Sequence, residues 1–128
     1  MKAWLELLRI SNLPTVWTNV IAGLVFASAF AGGVSPIPTM IVLIAASCLY
    51  LAGMVLNDLF DASIDAEERP SRPIPSGRVT RGAAAVVGWG LLLIGAALPW
   101  TASTAGGIVA GVIAVLVVLY DRLHAQIG

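Results

Sequence analysis

The stretch from Asn57 to Arg81 reads NDLFDASIDAEERPSRPIPSGRVTR and holds most of the charge in a chain of 128 residues with seven basic and seven acidic side chains. The sequence on either side is apolar, because residues 10–57 and 82–120 carry no charged side chain. Only 11% of the residues are charged and the mean hydropathy is +0.94, whereas a soluble domain carries about 25% charged residues. Two long apolar blocks around one polar segment predict a membrane protein whose helices contact the lipid bilayer.

The charge balance and the single cysteine exclude several other classes. A formal net charge of zero gives no basic excess for nucleic acid, so no nucleic-acid partner is expected. An apolar content of 59% argues against disorder. Cys48 lies within an apolar run, so an intrachain disulfide and a cysteine-based metal site are both excluded.

Each apolar block is long enough for two membrane helices, since about 20 apolar residues span the bilayer core. The turn-forming stretch AGGVSPIP at residues 31–38 divides the first block, and PWTAST at residues 99–104 divides the second. The sequence therefore predicts an all-α, polytopic transmembrane helix bundle with four spans. The spans are placed near residues 13–31, 39–57, 82–98 and 105–120, with a motif loop at residues 58–81.

Lys and Arg are enriched in cytoplasmic loops, which allows the orientation to be predicted. With four spans, all seven basic residues fall on the side that holds both termini and the motif loop, and the opposite turns carry no charge. We therefore expect a multi-pass protein of a bacterial or archaeal inner membrane, with its termini and motif loop in the cytoplasm. A cleaved signal peptide is the alternative at the N-terminus, but Pro14 and Asn19 suit a retained span better.

Three carboxylates, Asp58, Asp61 and Asp65, follow the predicted second span. If the helix continues past Asn57, Asp61 and Asp65 lie about 60° and 20° from Asp58 around the helix axis. Like charges at this spacing repel, and Mg²⁺ binds carboxylate oxygens while sharing its other positions with water and phosphates. The pattern predicts a Mg²⁺ site, and the competing interpretation is a span that ends in a solvated loop.

Arg69, Arg72 and Arg78 follow in a segment that contains three prolines. Proline fixes φ and removes a backbone donor, so we expect a rigid, non-helical loop. Guanidinium groups bind phosphate oxygens well. Carboxylates beside arginines at a membrane surface indicate a diphosphate with a lipid tail, unless the arginines serve only as the cytoplasmic topology signal.

The run Asn-Asp-x-x-Asp-x-x-x-Asp from Asn57 to Asp65, followed by RPSRPIPSG from Arg69 to Gly77, resembles the first aspartate-rich motif of the UbiA-type intramembrane aromatic prenyltransferases. The segment LRISNLP at residues 8–14, which leads to Asn19, resembles the first helix of that family. The resemblance extends over essentially the whole chain.

The resemblance implies a fold of about nine membrane-spanning helices around a cavity that opens to the lipid. It implies that Asp58, Asp61 and Asp65 are the catalytic residues that hold Mg²⁺ on a polyprenyl diphosphate. It also implies substrate-binding roles for a set of polar residues: Asn19, Asn57, Arg69, Arg72 and Arg78. The implied reaction transfers the prenyl group to an aromatic or other lipid-precursor acceptor and needs no protein nucleophile, so the lone His124 has no predicted role.

The sequence departs from the family pattern after the fourth span. Asp121 is the only acidic residue after Glu68, so the family's second aspartate-rich motif does not occur. Residues 1–128 are therefore expected to be the N-terminal part of one prenyltransferase domain, with the C-terminal half missing. A half-protein that pairs with a second subunit is the alternative, and in either case the chain alone is expected to be inactive.

The function also has an alternative from another class, a non-catalytic membrane module that binds or transports a prenylated or aromatic compound. Such a module would need the cavity but not the acidic stripe. The acceptor is left open, since related enzymes act on hydroxybenzoates, naphthoates, homogentisates, chlorophyllides, haem and glycerol phosphates. The direct Glu68-Arg69-Pro70 junction resembles the branches with a shorter loop more than the hydroxybenzoate branch.

Overall fold

The structure is a computed structural model that describes the backbone of residues 1–127 and the side chains of residues 1–126. Within this range the chain is helical, as predicted. The helices are α1 (Lys2–Leu8), α2 (Leu13–Ala31), α3 (Pro36–Phe60), α4 (Ala62–Glu68), α5 (Arg81–Ala97) and α6 (Thr104–Ile127). Short 3₁₀ turns at Ile10–Asn12 and Leu98–Thr101 precede α2 and follow α5.

The predicted number of membrane spans is confirmed for the described residues. The segments long and apolar enough to cross a membrane are Ile10–Ala31, Pro36–Phe60, Arg81–Thr101 and Thr104–Gln126. The second span begins earlier than predicted because Pro36 occupies the first turn of α3, where proline is tolerated. The last span extends past Tyr120, so α6 carries Asp121 within its helix.

Helix α3 is the centre of the bundle and packs against α1, α2, α5 and α6, most extensively against α5. Glycines allow α5 to approach closely. A Cβ at Gly88 would lie 2.8 Å from Leu56 Cδ2, and a Cβ at Gly95 would lie 2.8 Å from Leu49 Cγ. Small residues commonly permit such contacts between membrane helices. The polar end of α3 is thereby fixed relative to α5.

A second group of buried side chains holds the segment between α4 and α5 against the bundle. Residues 69–80 form turns and bends without a regular helix, as the prolines predict. Pro73 is fully buried, and Ile74 and Val79 are 7% and 3% exposed. Ile74 and Val79 pack in one cluster with Leu7, Val55, Ala62 and Ala84. This segment, called here the arginine loop, is therefore an anchored part of the fold.

Candidate functional site

Two buried carboxylates mark the polar end of α3 and the short helix α4. Asp58 is 5% exposed and Asp65 is 3% exposed. The same guanidinium nitrogen, Arg72 Nη1, lies 2.7 Å from Asp65 Oδ2 and 3.4 Å from Asp58 Oδ1. Arg9 Nη2 donates a second hydrogen bond to Asp58 Oδ1 at 3.1 Å. These four residues, Arg9, Asp58, Asp65 and Arg72, form what we call the acidic pair cluster.

The arginine loop positions Arg72 through its own hydrogen bonds and its buried neighbours. Ser76 Oγ donates to the carbonyl oxygen of Arg72 at 2.6 Å. The backbone N–H of Val79 donates to the carbonyl oxygen of Pro73 at 2.9 Å. Because Pro73 is buried beside it, the backbone of Arg72 is fixed and its side chain points to the two carboxylates.

Asp61 lies apart from the acidic pair cluster. Helix α3 ends at Phe60, and Asp61 occupies the junction before α4, where its Oδ2 accepts a hydrogen bond from Asn57 Nδ2 at 3.1 Å. No three acidic, histidine or cysteine side chains come together as a metal site in the described part of the chain. Asp58 and Asp65 share a face because they are about two helical turns apart, whereas Asp61 lies to one side of that face.

The other two predicted arginines differ in their placement. Arg69 is exposed, and its Nη1 lies 4.0 Å from Asp65 Oδ1, so it lies at the edge of the cluster. Arg78 points away from the two aspartates. Its Nη1 donates to Glu6 Oε2 at 2.9 Å, and its other nitrogens bond to Ser71 and Ser76. Arg78 therefore ties the arginine loop to α1.

Two adjoining cavities lie within the bundle, and Arg9 of the acidic pair cluster lines one of them. The first has a volume of about 520 Å³, and its polar lining residues are Arg9, Asn57, Tyr50, Tyr120 and Asp121. The second, of about 620 Å³, is lined almost wholly by apolar side chains from α2, α3 and α6, with Asn19 in its wall. Leu49, Tyr50, Ile113 and Val117 line both. A polar mouth thus leads to an apolar interior, which suits a ligand with a charged head and a hydrocarbon tail.

Sequence reasoning missed two residues of this region, Arg9 and Asp121. Arg9 has a left-handed backbone with φ of 47° that ends α1, and this turn carries its side chain to Asp58. The sequence feature that could have indicated Arg9 is its position as a basic residue directly before the first span. Asp121 is 4% exposed and lines the smaller cavity, and its signal was its isolation as the only acid after Glu68.

The donor set can be compared with what Mg²⁺ requires. Mg²⁺ is usually held by one or two carboxylates together with water and substrate phosphates. Asp58 and Asp65 both contact one guanidinium nitrogen, so a positive charge between these two carboxylates is electrostatically favoured. Both are hard oxygen donors, and Arg9, which bonds to Asp58, lines the neighbouring cavity. The pair therefore fits the cation, while Asp61 as a third ligand stays a prediction.

Comparison with known proteins finds relatives that match nearly the whole of this chain. It is 36% identical over 126 residues to the digeranylgeranylglyceryl phosphate synthase of Sulfurisphaera tokodaii, a match that covers 98% of this chain and 43% of that protein. It is 35% identical over 128 residues to the protein of the same name from Ignicoccus hospitalis, covering 100% of this chain and 41% of that protein. The chain thus spans less than half of the length of these relatives.

A solved structure from work on digeranylgeranylglyceryl phosphate synthase in membranes has the same fold. It superimposes with a TM-score of 0.85 at 30% sequence identity, over 94% of this chain and 43% of that chain. The sequence model of the UbiA prenyltransferase family matches residues 15–127. These residues include α3, α4, the arginine loop and most of the lining of both cavities, so the chain is an integral membrane protein that belongs to the UbiA prenyltransferase family.

Proposed function

We propose that the protein takes part in the Mg²⁺-dependent transfer of a prenyl group from a prenyl diphosphate to a lipid-precursor acceptor in the membrane. The observation that carries this proposal is the acidic pair cluster, whose Arg9 lines a cavity that adjoins a largely apolar one. Membership in the UbiA prenyltransferase family supports the same activity. The names of the relatives favour a glyceryl phosphate that already carries one prenyl chain as the acceptor.

The diphosphate head would bind at the acidic pair cluster. Asp58 and Asp65 would hold Mg²⁺, with Asp61 as the third predicted ligand. With a cation held by these carboxylates, the guanidinium groups of Arg72 and Arg9 would be available to donate to phosphate oxygens, for which their planar shape is suited. Arg69, exposed at the edge of the cluster, would approach the same phosphates from the aqueous side.

The hydrocarbon tail would lie in the apolar cavity between α2, α3 and α6. Burial of apolar surface is worth roughly 0.8 kcal/mol for each CH₂ group, so the tail supplies affinity while the head is positioned by charge. Asn19 is a polar residue in the wall of this cavity, where its predicted role is to contact the bound substrates.

The reaction breaks the bond between the allylic carbon and the diphosphate oxygen, and the electron pair leaves with the diphosphate. The acceptor oxygen then forms the new bond to that carbon and releases its hydroxyl proton. With Mg²⁺ bound, the negative charge that develops on the leaving group is neutralised. Arg72 and Arg9 strengthen that stabilisation because they are charged donors already fixed near the phosphate position.

The experiment is a transfer assay with the full-length protein in membranes and a labelled geranylgeranyl diphosphate. We expect labelled ether lipid when geranylgeranylglyceryl phosphate and Mg²⁺ are present, and none with EDTA or with Asp65→Asn. The matched control is Glu67→Gln, an exposed carboxylate on the same short helix, which should behave as wild type. Tight binding of the labelled diphosphate with no product under any condition would support a non-catalytic binding module instead.

A further inference from the structure

Asp121 on α6 is a buried carboxylate that the mechanism above does not use. It is 4% exposed, and its Oδ2 has no hydrogen-bond partner among the residues that the structure describes. Leaving a buried acceptor unpaired costs about 1 to 3 kcal/mol, and more when the group is charged. Among the described residues the position is therefore unfavourable, and a donor from a ligand would improve it.

The groups around Asp121 indicate which kind of ligand could donate a hydrogen bond to it. The charged groups whose fields reach it are Asp61 across the bundle and His124 on its own helix. It shares the wall of the smaller cavity with Arg9, Asn57 and Tyr120. The carboxylate thus lies where the polar mouth meets the apolar interior, close to the region assigned to the diphosphate head.

We propose that Asp121 binds the hydroxyl group of the acceptor lipid and accepts its proton as the ether bond forms. This inference rests on the proposed prenyl transfer and assigns the group that accepts the proton of the acceptor alcohol. The hydroxyl oxygen forms the bond to the allylic carbon, the carbon–diphosphate bond breaks, and the diphosphate leaves with the electron pair. The hydroxyl proton passes to the Asp121 carboxylate and from there to water.

The other carboxylates of the region are occupied by partners. Asp58 and Asp65 accept hydrogen bonds from arginines, and Asp61 accepts one from Asn57. Carboxylate oxygens that already accept hydrogen bonds have less capacity for a further donor, whereas Asp121 Oδ2 accepts none from the described residues. Of the described residues that line the two cavities, Asp121 is the only one with an acidic side chain.

The test compares two acceptors in the full-length protein with Asp121→Asn. One acceptor is geranylgeranylglyceryl phosphate, and the other is its analogue with a thiol in place of the reacting hydroxyl. A cysteine-like thiol ionises at about pH 8.5 without a protein base. An alcohol needs a base to accept its proton as the ether bond forms. We expect the variant to lose about 100-fold in kcat with the alcohol, to keep its KM for the prenyl diphosphate, and to lose much less with the thiol.

Several outcomes would overturn the assignment. Equal losses with both acceptors would mean a structural role, and no loss with the alcohol would remove Asp121 from the reaction. A higher Mg²⁺ requirement with both acceptors would make it a cation ligand. Asp121→Ser removes the charge without adding volume and must show the same selective loss with the alcohol. It replaces Asp121→Asn in the test if that variant does not accumulate in cells. Wild-type protein that transfers no prenyl group to either acceptor would instead refute the proposed function.

Discussion

Arg72 is the residue on which the candidate site depends, because it bridges two carboxylates that are otherwise buried. Its guanidinium contacts Asp65 at 2.7 Å and Asp58 at 3.4 Å. An ionised carboxylate in a protein interior is tolerated only when it is paired or hydrogen-bonded. The Arg72 guanidinium, which we assign to phosphate binding, therefore also stabilises the fold before substrate binds.

Replacing Arg72 by alanine should destabilise the protein by about 3 kcal/mol, because a buried pair then loses its cationic partner. Thermal unfolding of the full-length protein in detergent measures the loss. Arg69→Ala is the matched control, since the Arg69 side chain is 59% exposed and lies 4.0 Å from Asp65, and an exposed pair contributes less than about 1 kcal/mol. Equal destabilisation by the two variants would contradict the bridging role of Arg72.

Arg78 should behave differently from Arg72 in the transfer reaction. Its bonds to Glu6, Ser71 and Ser76 direct it away from the acidic pair cluster, although the sequence resemblance assigns it to the diphosphate. We expect Arg78→Ala to leave the KM for prenyl diphosphate unchanged and to cost at most about 1 kcal/mol of stability. A KM increase as large as that of Arg72→Ala would show instead that Arg78 contributes to diphosphate binding.

At the scale of the elements, α3 and α5 must approach closely for the polar end of α3 to be rigid. Leu49 packs against Gly95 and also lines both cavities. The close packing of these helices therefore shapes the space assigned to the prenyl tail as well as the core.

A methyl group at Gly95 should disturb this packing. Gly95→Ala places Cβ 2.8 Å from Leu49 Cγ and 3.0 Å from the Leu49 backbone nitrogen, and overpacking of this kind costs about 1 to 3 kcal/mol. Gly90→Ala on the same helix meets nothing within 4 Å and should be neutral or slightly stabilising. Thermal unfolding of both variants gives the comparison, and a Gly95→Ala protein as stable as Gly90→Ala would show that α5 has room to move.

The elements were largely predictable from the sequence because apolar blocks and turn residues act locally. The breaks at the two turns, the non-helical arginine loop and the first span at 13–31 follow from such signals. Helix periodicity places Asp65 nearer than Asp61 to Asp58 around the axis, but the bridge that Arg72 makes between Asp58 and Asp65 was not predictable. It depends on the helix ending at Phe60 and on burial of the arginine loop, which brings Arg72 to the pair from seven residues beyond Asp65.

At the scale of the whole molecule, the residues missed by sequence reasoning are those brought in by distant helices. Arg9 bonds to Asp58 across 49 positions of sequence, and Asp121 reaches the same region from α6. Neither contact leaves a local pattern, since an arginine before a span is equally expected from the topology rule. Packing of α1 and α6 against α3 creates both contacts.

The orientation in the membrane can be tested with a matched pair of single cysteines. In a Cys48→Ala background, Ser35→Cys and Ser63→Cys each place a thiol at an exposed position, one in the turn before α3 and one on α4. With a membrane-impermeant maleimide on intact cells, we expect labelling at position 35 only. Labelling at position 63 alone would reverse the assignment of the arginine loop to the cytoplasm.

The measurement that tests the central claim most directly is binding of a prenyl thiolodiphosphate to the full-length protein. In this analogue a sulfur replaces the bridging oxygen, so the head group binds while cleavage is suppressed. We expect saturable binding in Mg²⁺ that is lost in EDTA and in Asp65→Asn but retained in Glu67→Gln. Binding that is equally tight in EDTA, or unchanged in Asp65→Asn, would contradict the assignment of the acidic pair cluster as the diphosphate site.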